Sequence, residues 1–470
     1  MMRSLYSGVA GLKTHQTRMD VIGNNIANVN TTAYKSQSMT FSDLLYQTTQ
    51  SASGANPQSG VGGTNARQIG LGAKTAAIKS AITSQGASQT TNDPFDLMIT
   101  GDNFFVVSNG SENFFTRDGS FYVDGVGNLC MTSTGYNVMG WLAETDPATG
   151  KIAIKQDTVK ALKIMSAEYQ TYAPEATSKA QLAGIIDSKD SNVNTSTGKT
   201  VTLDFYDNLG FKYTGKFAVS NVNADGSSLA EGHFNMSLVS VTDSKGTVIG
   251  DATKYAATWP TADLEFDTTT GLIKSVTPNG GAKIEGEGLK TLSLNVKELG
   301  VDSLTTGGTG SVFNGVISID ATTLVNFNNN GASTVTCTRG DGDGDGSGRM
   351  LGQMSGVSIQ KDGMIYATYD NGMSRLLGQI ATAAFSNPSG LEMAGDNLYR
   401  STQNSGEFNG VGVDITAGGG YMNSGVLEMS NVDLSSEFTQ MITTQRGFQA
   451  NSRIITVSDT LLEELTNLKR

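Results

Sequence analysis

Two apolar stripes, one at each end of the chain, constrain what it can become. Leu5, Val9, Leu12, Met19 and Ile26 follow a three-four alternation, with Ile22 and Val29 alongside. At the other end Leu434, Met441, Phe448, Ile455 and Leu462 recur every seven residues, and Phe438 takes an intervening position. Ile454, Leu461, Leu465 and Leu468 widen that second stripe. Such spacing gathers apolar side chains on one helical face, and the face needs a partner. Gln16, Gln445, Ser452 and Asp459 interrupt the stripes at the same spacing. They would weaken an isolated coil but suit helices packed side by side around a wet lumen. The expectation is that the two ends bury against each other and against neighbouring copies, as in a polymer subunit.

The material between the stripes is different. At 470 residues the chain is too long for one core. Charged residues make up 16%, Gly numbers 57 and Pro only 7. Low charge with many turn formers points to β-rich domains joined by short loops rather than to disorder. The net charge of −12, with no long Lys/Arg run, argues against a nucleic-acid partner. No apolar run is long enough for a membrane helix. The opening MMRSLYSGVAGLKTHQ lacks the apolar segment and cleavage site of a secretory signal. Cys130 and Cys337 are too few for a disulfide framework, fall in different domains, and are expected to be free thiols.

Four nested parts follow from the pattern. Helices at 1–28 and 436–470 form a terminal coiled coil, and irregular or extended stretches at 29–75 and 396–435 connect them to the rest. An inner β domain at 76–150 and 355–395 is marked by DLMITGDNFFVV, ENFFTRDG, SFYVDGVGNLCM and MIYATYDNGMSRLLGQI, with DG, NG and GN turns between. An outer β block at 151–354 is inserted into it, with period-2 runs such as VTLDFYDNLGFKYTGKFAV and HFNMSLVSVTDSKGTVIG that suit a sandwich or barrel. The fold class expected is therefore mainly β, elongated and multidomain, with the terminal helices pairing at one end.

Candidate chemistry is sparse. Asp341, Asp343, Asp345 and Gly346 match the opening of a calcium loop, but Gly352 stands where the bidentate Glu belongs and Arg349 where an oxygen ligand is wanted. The loop is read as acidic and solvated, with no metal. His15 lies off the apolar stripe and is read as a surface residue; His233 opens a β run and is read as a strand-end residue. Zinc, P-loop and GxSxG signatures are missing, so neither a cofactor nor a catalytic site is expected.

The segment GLKTHQTRMDVIGNNIANVNTTAYK resembles the N-terminal signature of the bacterial flagellar rod and hook family, and GVLEMSNVDLSSEFTQMITTQRGFQANSRIITVSDTLLEELTNL resembles its C-terminal one. Between them, PFDLMITGDNFFVV with FTRDGSFYVDGVGNL is similar to the β domain these proteins share. The resemblance covers roughly 1–150 and 355–470 and is strongest to hook members. It implies a structural subunit that polymerises into a curved, flexible tube, passing torque from rod to filament and conducting exported subunits. Implied partners are other copies, the distal rod protein, the hook cap, the hook–filament junction proteins and the flagellar type III export apparatus. The implied location is extracellular, at the hook and basal body, reached without a cleaved signal. Alternatives are a rod or junction protein of the same family and, from another class, a secreted glycan-binding module or enzyme carried by the insert.

Assembly is expected to rest on Leu5, Val9, Leu12, Met19, Ile22 and Ile26 packing with Phe438, Met441, Phe448, Ile455, Leu462 and Leu465, with Leu434 at the head of the stripe. The family motif maps to Asn24, Asn25, Ile26, Ala27, Asn28 and Tyr34. Asn24, Asn25, Asn28 and Asn30 are expected to cap the first helix and turn the chain. Ala33 stands where the family usually has Gly, which implies an ordinary turn there rather than positive φ.

Overall fold

The computed structural model describes residues 2–54, 60, 62–145, 152–223, 226–250, 261–278, 290–295 and 316–468. Part of the Ser/Gly/Asn-rich run at 51–66 and the end of KTLSLNVKEL lie outside them. The architecture is mainly β, with one long helix at each end: α1, Met2–Ala27, and α2, Leu434–Asn467. The chain divides into two compact units, one made of 1–169, 356–368 and 374–470, the other of 170–355 and 369–373.

In the first unit, both halves of the chain contribute strands to the same sheets. Strand Phe104–Ser108 pairs with Asn113–Thr116, which pairs with Leu398–Arg400 from the C-terminal half. Strand Leu97–Thr100 pairs with Tyr421–Ser424, and Ser88–Thr90 with Val426–Glu428. The FFVVS run has no alternation because all five residues are buried, as a strand covered on both faces requires. Phe104, Val106, Phe115 and Tyr399 form a core with Ile82. Trp141 is fixed beside it by Nε1, which donates to Asp157 O at 2.9 Å and Val411 O at 3.0 Å.

The segment after α1, read from sequence as irregular or extended, carries two strand pairs. β1, Gln37–Asp43, and β4, Ala73–Ser80, pair antiparallel around β2, Tyr46–Gln50, and β3, Arg67–Gly70, which pair with each other. Their polar, Thr- and Gln-rich sequence hid the strands, since β2 and β3 are exposed throughout and no regular inward/outward alternation marks β1 or β4. α1 packs on β1 and β4.

Among the described residues of the second unit, a five-stranded and a six-stranded sheet share one core. Strands Lys199–Tyr206, Lys212–Ser220, His233–Asp243, Ala262–Phe266 and Ile273–Pro278 form an antiparallel meander. The other sheet departs from the hairpins expected from the turn dipeptides. Lys179–Ile186 pairs in parallel with Val316–Asp320 and with Leu324–Asn326, and antiparallel with Thr336–Arg339. Parallel pairing joins residues far apart in the chain, so no local turn signal marks it. Leu182, Leu203, Phe217, Phe234, Leu264 and Ile319 from both sheets share the core.

Candidate assembly surface

α1 and α2 run antiparallel in direct contact. Ser4 Oγ lies 3.5 Å from Ser458 Oγ at one end; at the other, Asn25 Nδ2 donates to Glu437 Oε1 at 3.0 Å. Between these ends Gly8 faces Ile455, Gly11 faces Asn451 and His15 faces Gly447, and Arg18 Nη2 donates to Gln440 Oε1 at 3.2 Å. A Cβ on Gly11 would stand 2.6 Å from Asn451 Nδ2, and one on Gly447 would stand 2.7 Å from His15 Cε1, so the Asn451 amide and the His15 ring occupy the space that a side chain at either glycine would need.

The seam on α2 keeps the four-three spacing read from the sequence but not the composition. Met441, Phe448, Ile455 and Leu462 are half-buried along it, and Glu437, Thr444, Asn451 and Ser458 alternate with them. The buried residues of α2 are Glu437, Thr444 and Ser458, all polar. On α1, Ile22 is buried, Leu5, Leu12, Met19 and Ile26 are half-buried, and Val9 is 47% exposed. Leu434, Phe438 and Leu465 are 38%, 50% and 48% exposed. Each of the three thus keeps a large apolar surface open within one chain. α2 starts on Asp433, whose carboxylate accepts from Ser435 N and Ser436 N, a cap that contributes about 1 kcal/mol.

The asparagine motif does more than turn the chain. Asn25 is fully buried. Its Nδ2 donates to Gln37 O at 2.8 Å and its Oδ1 accepts from Gln37 N at 2.9 Å, besides the bond to Glu437. One side chain thus holds α1, β1 and α2 together. Tyr34 donates to Asn25 Oδ1 at 3.2 Å and accepts from Asn24 Nδ2 at 3.0 Å. Burial, and then the Glu437 charge, push its phenol above the usual value. Asn28 Nδ2 closes on Asn24 O, whereas Ala27 and Asn30 are exposed.

Two expectations need correction. Ala33 has φ 54 and is buried, so this turn keeps the left-handed geometry that glycine would supply; its N–H donates to Glu428 O at 2.8 Å. That bond and the surrounding packing hold alanine in a conformation costing about 1–2 kcal/mol. His15 is not a surface residue. It sits in the helix seam, 5.6 Å from the Phe41 ring, with Nδ1 buried and unpaired. Burial, then Arg18, lower its pKa.

One cluster escaped the sequence reading. Lys35 Nζ donates to Glu428 Oε1 at 2.7 Å and to Ser84 O at 2.7 Å, and Gly86 N donates to the same carboxylate oxygen at 2.9 Å. Arg117 lies 3.9 Å from Glu428 Oε2, donates to Ile99 O and Gly101 O, and stacks 5.2 Å over Phe104. All three charged side chains are essentially dry. Burial pushes the Lys35 ammonium below its usual range against the pull of Glu428. The trio ties the segment after α1 to the strand before α2. Its one sequence clue was Arg117, a charge inside the aromatic run FFTRDG.

The remaining candidates are satisfied locally. Asp341 Oδ2 takes Lys179 Nζ at 2.7 Å and Oδ1 takes Asp343 N and Asp345 N, and the Lys179 bond holds its carboxyl below the usual range. His233 opens its strand and faces Asp263 at 3.0 Å. Cys130 and Cys337 are both free and buried, and burial pushes the Cys337 thiol up to about 12. No helix among the described residues is long and apolar enough to cross a membrane.

Family models match the same three regions: "Flagella basal body rod protein" over 5–35, "Flagellar hook protein FlgE/F/G D1 domain" over 98–167, and "Flagellar basal body rod FlgEFG protein C-terminal" over 423–468. The flagellar hook protein FlgE of Treponema pallidum (strain Nichols) is 36% identical over the full length of both chains. The chain belongs to the flagellar hook protein family. The hook protein FlgE of Borreliella burgdorferi is 34% identical, again over 100% of both chains. The flagellar basal-body rod protein FlgG of Bacillus subtilis (strain 168) is 28% identical over 100% of both. The first and last of the three matched regions hold the helix seam, Asn25, Lys35 and Glu428.

Proposed function

We propose that this chain is the structural subunit of a bacterial flagellar hook. It polymerises through its terminal helices into a short, curved, flexible tube that passes torque from rod to filament and conducts exported subunits. The observation that carries the reading is the α1–α2 pair, which buries polar side chains in its seam and leaves Phe438, Ile442, Val457, Leu461 and Leu465 exposed. Helices of this kind draw stability from tertiary burial rather than propensity, so the pair is completed by its neighbours.

On this reading the partners are other copies, the distal rod protein, the hook cap, the junction proteins and the type III export apparatus. The location is extracellular, at the hook and basal body, reached without a cleaved signal, and the chain carries out no catalysis. The terminal coil, connecting segment, inner β domain and inserted β block are nested along the chain. As the tube turns, one side shortens while the other lengthens. Polar β surfaces slide at small cost because water replaces each lost contact.

Negative-stain electron microscopy of the concentrated full-length chain beside Phe448→Asp tests this. Phe448 is half-buried in the seam, where an unpaired carboxylate is costly. Curved tubes are expected from the parent and none from the variant. Tubes from Phe448→Asp would refute helix pairing as the basis of assembly, and straight parent tubes would favour the rod reading that the FlgG similarity also supports.

A further inference from the structure

The face of α1 turned away from α2 borders a groove. Seam residues Ser4, Gly8, Gly11 and His15 lie about 180° around the helix from Tyr6, Val9 and Lys13 at 100° per residue. Tyr6, Val9, Ala10 and Lys13 line the groove with Leu44, which follows β1, and Leu71, which precedes β4; its volume is about 390 Å³. Tyr6 and Leu44 are 64% and 46% exposed. The floor is close-packed, with Ala10 Cβ 3.0 Å from where a Cβ on Gly72 would stand. A matching ridge runs along the last turns of α2. Val457, Leu461, Leu465 and Leu468 are spaced four and three apart, and all are exposed, the pattern of a helix that lies in a groove.

We propose that this groove receives the Val457–Leu468 ridge of α2 from a second copy of the chain. The inference rests on the polymer reading above and names the contact that propagates it. The chain's own α2 is held on the opposite face of α1, so it leaves the groove open and keeps its own ridge free. A groove on one face and a ridge on another give a head-to-tail contact. Every added copy then presents a fresh groove and ridge, and the series grows as an open helix instead of closing as a dimer. Charge agrees with the apolar fit. Lys13 stands at the groove and Glu464 flanks the ridge.

The test uses full-length chains carrying Val9→Cys or Leu461→Cys, mixed in equal amounts, concentrated and mildly oxidised. Both positions are exposed and the native thiols are buried. The expected result is tubes in which the mixed disulfide, joining position 9 of one copy to position 461 of the next, is in large excess over either symmetric one. Little mixed disulfide is expected when Phe438→Cys replaces Leu461→Cys. Tubes without the mixed disulfide would overturn the docking and leave the polymer reading intact; failure to form either tubes or disulfide would overturn both. As a second measurement, Lys13→Glu should slow tube growth at least tenfold and Glu464→Lys in the same chain should restore it. No rescue would contradict the contact.

Discussion

The terminal helix pair and the core of the 170–355 unit use opposite means to hold their elements. In the latter, Leu203, Phe205, Phe217, Leu264 and Ile317 are dry and apolar, and burying each contributes roughly 1.5–3 kcal/mol. In the helix pair, the buried positions of α2 are Glu437, Thr444 and Ser458, and Gly8, Gly11 and Gly447 leave room for Ile455, Asn451 and His15. Hydrogen bonds exchanged with water contribute only about 1 kcal/mol each. A core of the first kind is stable in one molecule. A seam of the second kind separates in water at little cost and waits for more burial. The difference teaches where the chain stores its fold and where it stores its capacity to assemble.

The largest effect should come from Phe217→Ala, which removes a fully buried ring and should cost about 3–5 kcal/mol in urea unfolding of that unit. The terminal helices should be unaffected; a change in tube growth at temperatures where the unit stays folded would break the comparison. Next, Gly447→Leu drives a side chain into His15. Overpacking of this kind costs about 1–3 kcal/mol, and it should suppress tubes while the urea midpoint of the 170–355 unit stays fixed. Gly23 sharpens the point, since a Cβ there meets nothing within 4 Å. Gly23→Ala should therefore raise the stability of α1 by about 1 kcal/mol, seen as a higher thermal midpoint of the tubes, whereas Gly447→Leu lowers it.

The smallest effect should be pH-dependent. Burial and then Arg18 hold the folded pKa of His15 below its ordinary value of 6.5. The separated helices therefore bind the proton first. Pairing is fully supported above pH 6.5, weakens as pH falls through that value, and levels off below the lowered one. His15→Gln should flatten this dependence in tube disassembly, followed from mildly alkaline to mildly acidic pH. An unchanged profile would show that the histidine does not report on the seam.

Much of this was legible in the sequence. The stripes marked a helix at each end of the chain, and FFVVS, VTLDFYD and HFNMSLVSV declared strands by burial or alternation. The seam was harder. Period marks a face, yet a glycine or serine scores as nothing on an apolar scale, so Gly8, Gly11, Gly447 and Ser458 were invisible although they are where the helices touch. The stripe then drew attention to Phe438 and Leu465, which the chain leaves exposed. Lys35, Arg117 and Glu428 are separated by long stretches of chain, and no local pattern could pair them. Ala33 misled because residue type alone suggests an ordinary turn, while the bond to Glu428 O decides the geometry.

The most direct test of the central claim is hydrogen exchange on free subunits and on assembled tubes. Amides of α1 and α2 should exchange rapidly in the free chain and become protected by at least a hundredfold in tubes. Amides of Lys199–Tyr206 and Lys212–Ser220 should be protected equally in both. Terminal helices already as protected in the free chain as those strands would contradict the account, because the pair would then be complete without its neighbours.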